Sequence, residues 1–283
     1  MSNKRNEARR KHSASPPDPV MEQPSGGSLL NFSIPTEVVD LPSKGRLYPV
    51  GHPLHGKETV EIRHMTAKEE DILSSQSLLR KGLAINKMLD SIILEEGVTS
   101  DDLLIGDKNA LMYAARITGY GAAYDAQVIC QNCNQDFEFQ FDLSKYNECY
   151  TSIDEEDNVK FTENGTAEIE LPKTKILVEI RALTGADELK LEKTREMKER
   201  NKLPDAGLTD MMKMMIFSAN GVMDTDQINR LVDVLPASDS KLIRDTYKRV
   251  MPNVVFKQDA ECHHCGHTME TEVPITGGFF WPG

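Results

Sequence analysis

Cys130-Gln131-Asn132-Cys133-Asn134 and Cys262-His263-His264-Cys265-Gly266 are the two stretches that decide how this chain folds. Each is a C-x-x-C knuckle, a turn that aims two thiolates at one tetrahedral Zn²⁺. The residue after the second cysteine of such a turn is pushed towards positive φ. Glycine accepts that freely and asparagine more readily than most, and Asn134 and Gly266 stand there. Strand-like runs flank both turns. Ala126-Gln127-Val128-Ile129 leads into the first, and Phe137-Glu138-Phe139-Gln140-Phe141 leads out with period-2 alternation. Val254-Val255-Phe256 precedes the second, and residues 268–273 follow it with Thr271 and Val273 on one face. Two strand–knuckle–strand units predict one zinc ribbon, with Cys130, Cys133, Cys262 and Cys265 holding a single structural Zn²⁺ per chain. Four thiolates close the coordination sphere and leave no position for a reactive water, so the zinc is not catalytic.

The spacing is unusual. Compact ribbons separate their knuckles by roughly 12–20 residues, whereas here residues 134–261, 128 in all, intervene. The competing reading is two unrelated pairs, or thiols with redox work. A thioredoxin-like C-x-x-C starts a helix after a buried strand, and neither stretch does so. His263, His264 and His267 are each able to replace a thiolate, but the pattern reads them as solvent-facing knuckle residues.

With 283 residues the chain can bury one large core or two modest ones. Its net charge of −12 repels phosphate backbones, which argues against nucleic-acid binding, the common use of a zinc ribbon. Five cysteines, four of them in knuckles, do not make a disulfide framework; they suit a reducing compartment, with Cys149 an inert, at least half-buried thiol. No run approaches 18 apolar residues and no signal-type apolar region follows the basic start. A soluble protein made in a cytoplasm is expected, with no membrane and no small-molecule substrate.

Residues 1–34 read as a disordered tail with a basic tip (Lys4, Arg5, Arg9, Arg10, Lys11) followed by Pro, Ser and Gly. Extended chain with turns follows from Ile34 through Leu54, then a short strand at Val60-Glu61-Ile62. Thr66 with Glu69 three residues on forms a capping box for a helix to about Leu73. A stronger helix over residues 83–96 carries an apolar stripe and stops at Gly97, and Asp107 caps another over 109–118. After Cys149 an insertion begins. It opens on an acidic loop at 154–157, continues with strands at 159–161, 167–171 and 176–180, and then gives helices at 188–200, 209–219, 227–235 and 239–251. The fold class is therefore α+β. A mostly helical N-terminal region joins a zinc-ribbon-like β unit formed by two distant knuckles, with an inserted α+β subdomain. The domains follow as a tail at 1–34, a zinc-stapled domain at 35–150 plus 252–283, and an insertion at 151–251.

Three stretches invite a partner. Met211, Met212, Met214, Met215 and Phe217 crowd one helix, which fits an adaptable surface or a helix buried on several sides equally well. Residues 187–200 are almost all charged and read as an exposed face with i,i+4 pairs. Phe279-Phe280-Trp281 at the C-terminus either docks on a neighbour or folds back to seal the core, and folding back is favoured. Phosphate-loop, nucleophile-elbow and H-E-x-x-H motifs are absent. No residue is singled out as catalytic, including His52, His55 and His64, and the chain is not read as an enzyme.

Val39-Asp40-Leu41-Pro42-Ser43-Lys44-Gly45-Arg46-Leu47-Tyr48-Pro49, with Met65-Thr66-Ala67-Lys68-Glu69-Glu70-Asp71-Ile72-Leu73, resembles the T4-type phage baseplate protein family of hub subunits and hub assembly proteins. Gly106-Asp107-Lys108 through Arg116, Tyr120-Gly121 and Cys130-x-x-Cys133 look like the next block. The resemblance covers about residues 36–150; the insertion and the tail lie outside it. It implies a virion structural protein of the contractile tail's baseplate hub, present in the host cytoplasm during assembly, that binds other hub and tail proteins. Self-association is left open. Two alternatives stand beside this reading: a transient tail-assembly chaperone missing from the mature virion, and a zinc-ribbon nucleic-acid binder using the basic tail.

Overall fold

The computed structural model describes residues 32–151, 159–204, 206–275 and 277–280. The expected tail up to residue 31, the acidic loop at 154–157 and Trp281 lie outside the described residues.

Strand β1 (Thr36–Asp40) pairs antiparallel with β2 (Thr59–Arg63), with Val39 opposite Val60. The connection between them is a tight, turn-rich excursion that buries Leu41, Leu47, Tyr48 and Leu54. Gly45 makes it possible. Its φ is +68°, and a Cβ there would lie within 2.6 Å of the backbone of Leu54 and Lys57. Helices α1 (Ala67–Ser74), α2 (Gln76–Leu79), α3 (Ala84–Ile92) and α4 (Ile105–Tyr120) follow. At the start of α1, the Glu69 carboxylate accepts from both the N–H and the hydroxyl of Thr66, as the capping pattern predicts. Helix α3 ends four residues before the expected point. Ile93 leaves it to form a bridge with Ile62, and the Leu94 N–H donates to Glu61, so sheet pairing competes successfully with another helical turn.

Helix α4 is the axis of the core, buried from Gly106 to Arg116 apart from a half-exposed Asn109. Asp107 does not cap it. The helix begins earlier, with Leu104 at the N-cap, and Asp107 occupies the first turn, where its charge still suits the helix dipole. From there its side chain reaches the β1–β2 connection instead of the helix's own N–H groups.

Strands β3 (Ala123–Ile129) and β4 (Asp136–Asp142) carry the first knuckle between them, and β9 (Lys257–Glu261) and β10 (Thr268–Glu272) the second. The apolar run at 254–256 is not the strand that feeds the second knuckle. Val254 bridges Tyr150, and it and Phe256 are buried in the core. The paired strand is the polar segment after it, of which Ala260 alone is buried.

The segment between the knuckles forms the sheet β5 (Lys160–Phe161), β6 (Thr166–Glu170), β7 (Leu177–Arg181) and β8 (Ile216–Ala219), antiparallel throughout. Helices α5 (Gly185–Arg200), α6 (Gly207–Met215), α7 (Thr225–Val234) and α8 (Ala237–Val250) accompany it. The helix expected over 209–219 stops at Met215. Ile216, Ser218 and Ala219 pair with β7 around a bulge at Phe217, and the turn at Asn220 and Gly221, both at positive φ, closes the edge. Met212 and Met215 are buried and Met211 and Met214 half-buried, so the methionine cluster is mostly packing.

The segment between the knuckles shares the core. Thr151 and Asn253 exchange backbone and hydroxyl hydrogen bonds where the chain leaves and returns. Ile105 donates to Leu183, and Gly185 donates to Leu103. Gly106 and Gly185 allow these contacts: a Cβ on either would lie about 2 Å from the carbonyl oxygen of Pro252 or Ser100. One buried apolar cluster runs from Val39 to Phe280. At its C-terminal end Phe279 and Phe280 are fully buried, with Phe279 edge-on to Tyr113 and Tyr124, so these two residues fold back as expected.

Candidate metal centre

The two knuckles are near copies. In the first, the Cys130 N–H donates to Gln135 O and the Asn134 N–H to Cys130 O, both at 2.9 Å. In the second, Cys262 donates to His267 O at 2.9 Å and Gly266 to Cys262 O at 2.8 Å. The predicted left-handed positions are present, with Asn134 at φ +55° and Gly266 at +67°. Phe137, Val128 and Met269 fill the space behind the turns. The hairpins are also joined directly. Gln258 accepts from the Asp142 N–H and donates to the Asp142 carbonyl, and the Tyr124 hydroxyl donates to Pro274 O.

This folding brings Cys130, Cys133, Cys262 and Cys265 together across the sequence, all four Sγ atoms within 4.8 Å of one another. The Cys130–Cys265 and Cys133–Cys262 Sγ pairs are each 3.7 Å apart, and none of the four is in a disulfide. Four thiolates at the 2.3 Å Zn–S distance of a tetrahedral site would have their sulfurs about 3.8 Å apart, so the spacing fits a metal ion and is far too long for covalent S–S bonds.

The electrostatics point the same way. The Cys133 N–H directed at Cys130 brings that thiol down to about 7. The His267 N–H and the Asn132 side chain lower Cys265. The Gln135 N–H favours the Cys133 thiolate too, but burial and the surrounding sulfurs push this thiol up to about 12. Backbone donors thus favour the thiolate at Cys130 and Cys265, while the neighbouring sulfurs oppose it at Cys133, a repulsion that a cation among them would relieve.

His263, His264 and His267 are exposed and outside the cluster, as read from sequence. The His264 ring nitrogen Nε2 is 3.2 Å from Asp136 O, and the His263 ring lies against Phe137. Cys149 is half-buried and apart, its thiol directed at Lys145 O.

A second polar centre lies at the start of α4, with no sequence motif to mark it. The buried Asp107 carboxylate accepts from the Ser43 N–H at 2.9 Å, the Ser43 hydroxyl at 2.6 Å and the Tyr48 hydroxyl at 2.8 Å. The Tyr48 oxygen in turn accepts from the Leu104 N–H. Burial pushes the Asp107 carboxyl up, and the donors from Ser43 and Tyr48 draw it back. Burial and the nearby Asp107 raise the Tyr48 phenol above its ordinary range. Ser43 and Tyr48 of Pro42-Ser43-Lys44-Gly45-Arg46-Leu47-Tyr48 meet Asp107 of Gly106-Asp107-Lys108 here, which gives a physical reason for those two blocks to occur together. No helix among the described residues is long and apolar enough to cross a membrane.

No curated protein and no solved structure matches the chain. A family model described as T4 bacteriophage base plate protein matches residues 35–281. The span takes in both knuckles, the Asp107 centre and the segment between the knuckles, and so extends well beyond residues 36–150. Four grouped cysteines suited to a metal ion, a single core built around α4 and this match together place the chain in the T4 bacteriophage base plate protein family, as a structural protein of the phage baseplate.

Proposed function

We propose that the protein is a component of the baseplate hub of a contractile tail, without catalytic activity, which binds neighbouring hub and tail proteins and carries one structural Zn²⁺ on Cys130, Cys133, Cys262 and Cys265. The observation that carries the metal assignment is the meeting of four free sulfurs, two pairs of them 3.7 Å apart, from positions 130–133 and 262–265. A soft S₄ set selects zinc over hard cations and leaves no open coordination position. Bound there, the ion cross-links the two ends of the inserted segment, so its binding free energy becomes folding free energy. The hub assignment rests on family membership together with the resemblance of residues 39–49 and 65–73 to hub proteins.

Two measurements test this. Metal analysis with thiol titration on the purified protein is expected to give one zinc per chain and four protected thiols, with Cys149 reacting alone. No metal with five free thiols would remove the zinc assignment. Mass spectrometry of purified virions and of tail intermediates is expected to find the chain in both. Its presence only in intermediates would replace the hub reading with the transient assembly chaperone.

A further inference from the structure

Two surfaces of opposite charge lie outside the metal centre. The first is the exposed side of the two ribbon hairpins. Asp and Glu number one in β3, three in β4 and two in each of β9 and β10, eight in all, against the single Lys257. All eight are exposed, and Lys257 is already paired with Glu270. Asp259 and Glu270 stand directly opposite each other in the β9–β10 register, an arrangement of like charges that costs the isolated protein stability.

The second surface is the far end of the α5–α6 hairpin. Residues 193–202 hold five basic side chains against Glu196 and Glu199, in a chain whose net charge is −12. Lys198 is paired with Asp210, whereas Lys193, Arg195, Arg200 and Lys202 have no ion pair among the described residues. Helix spacing puts Lys193 and Arg200 at i−4 and i+3 from Met197, on its face. The helix ends in a Schellman turn: Lys202 at φ +54° donates to Glu199 O, and Leu203 donates to Lys198 O. Met197, Leu203 and Leu208 are 58, 56 and 64% exposed. Three large apolar side chains left in water amid unpaired cations describe a contact surface, not a solvated helix end.

We propose that copies of this chain associate head to tail, the basic, apolar-tipped end of the α5–α6 hairpin of one copy docking on the acidic ribbon hairpins of the next. A second copy is the occupant that the charges favour, because the chain itself carries the complementary surface. A phosphate backbone would pair with the lysines and leave Met197, Leu203 and Leu208 in water. Docked in one direction only, the contact is heterologous and builds a ring or an open chain. It weakens as salt screens it, over a Debye length of about 10 Å at 0.1 M.

The experiment is sedimentation velocity on the metal-loaded full chain at low and high salt, with two charge-reversed variants. One carries Lys193→Glu, Arg200→Glu and Lys202→Glu; the other carries Glu138→Lys, Asp259→Lys and Glu270→Lys. Circular dichroism and thiol protection show that each is folded. Wild type is expected to self-associate at low salt, each variant alone at least about tenfold more weakly, and an equimolar mixture of the two to regain association, since each then offers the other a complementary surface. A wild type that stays monomeric at low salt, or variants that assemble as wild type does, overturns the proposal. So does a monomeric protein whose tip variant loses binding to double-stranded DNA, which would assign the cations to a phosphate backbone.

Discussion

The ribbon and the region around Asp107 both join segments far apart in the chain, and they do so with opposite resources. Ser43 and Asp107 are 64 positions apart and meet among Leu41, Leu47, Tyr48, Leu103 and Leu111, all buried. Apolar burial there, at about 25 cal/mol per Å², supplies the energy, and the hydrogen bonds set which residues meet. Cys130 and Cys262 are also paired across distant sequence, but the four ribbon strands bury only Tyr124, Val128, Phe137, Phe141, Ala260 and Met269. Their exposed sides carry eight carboxylates that repel one another. Two short acidic hairpins cannot hold each other by burial alone. Where apolar area is scarce, closure depends on a few strong bonds; where it is plentiful, polar groups only select the register.

Removing one of the four proposed metal ligands breaks the comparison most severely. Structural zinc contributes apparent binding energies of about 10–16 kcal/mol in small zinc domains, more than the ribbon's few buried side chains can replace. Cys262→Ser is expected to abolish stoichiometric metal binding. Hydrogen exchange should then fall to unprotected rates across 123–142 and 257–272, while 36–48 and 105–116 stay protected. Uniform loss of protection would show that the two regions are one cooperative unit. Unchanged exchange in the ribbon would show that the metal contributes little.

The pH dependence of the core sharpens the contrast, with a smaller effect. Glu69 has no solvent exposure, which by itself would raise its pKa, yet two guanidinium bonds from Arg63, two from Thr66 and one from Ser91 bring it down to about 2. Its ordinary value is 4.5, so the folded state holds the proton less tightly than the unfolded one. The stability it contributes, about 3 kcal/mol, is complete above pH 4.5 and is lost as pH falls towards 2. Asp107 has the opposite sign. Its raised folded pKa means that ionisation costs stability as pH climbs above the ordinary carboxylate range. Urea unfolding of wild type and Glu69→Gln at pH 7 and pH 2.5 isolates the first effect. The gap between the two proteins should narrow sharply at the lower pH, and an undiminished gap would mean Glu69 acts by packing rather than by charge.

The parts of this molecule legible in the sequence are those whose residue chemistry is local. The knuckles announced themselves through paired cysteines and through Asn134 and Gly266, because a tight turn demands a residue tolerant of positive φ. The capping pair Thr66 and Glu69 was readable for the same reason. What stayed hidden was set by tertiary partners. Met211 to Phe217 carries a helical apolar pattern, yet the free edge of β7 draws Ile216–Ala219 into the sheet. Ile93 leaves its helix because Ile62 is beside it. Asp107 reads as a cap, and only the burial of Ser43 and Tyr48 beside it shows what it binds. The polar strand Lys257–Glu261 carries no apolar alternation to mark it, so the pattern points to the apolar run before it.

The smallest expected effect tests how far the ribbon's strong bonds are tuned from outside the sulfur set. Asn132 lies in the first knuckle, yet its side-chain amide donates across to Cys265 Sγ of the second, at 3.7 Å. Such a bond favours the thiolate and so favours the metal-bound state. Partners of metal ligands commonly change affinity about 10–100-fold, and because Asn132 is exposed, water can replace part of its bond. Asn132→Ala is therefore expected to weaken zinc binding about five- to tenfold, read by competition with a chromogenic chelator. Gln131→Ala is the control, since Gln131 donates through its backbone N–H to Met269 and not through its side chain. Equal affinities for the two variants would mean that the knuckle backbone alone prepares the thiolates, and that the metal junction is as independent of its side-chain surroundings as the core is dependent on them.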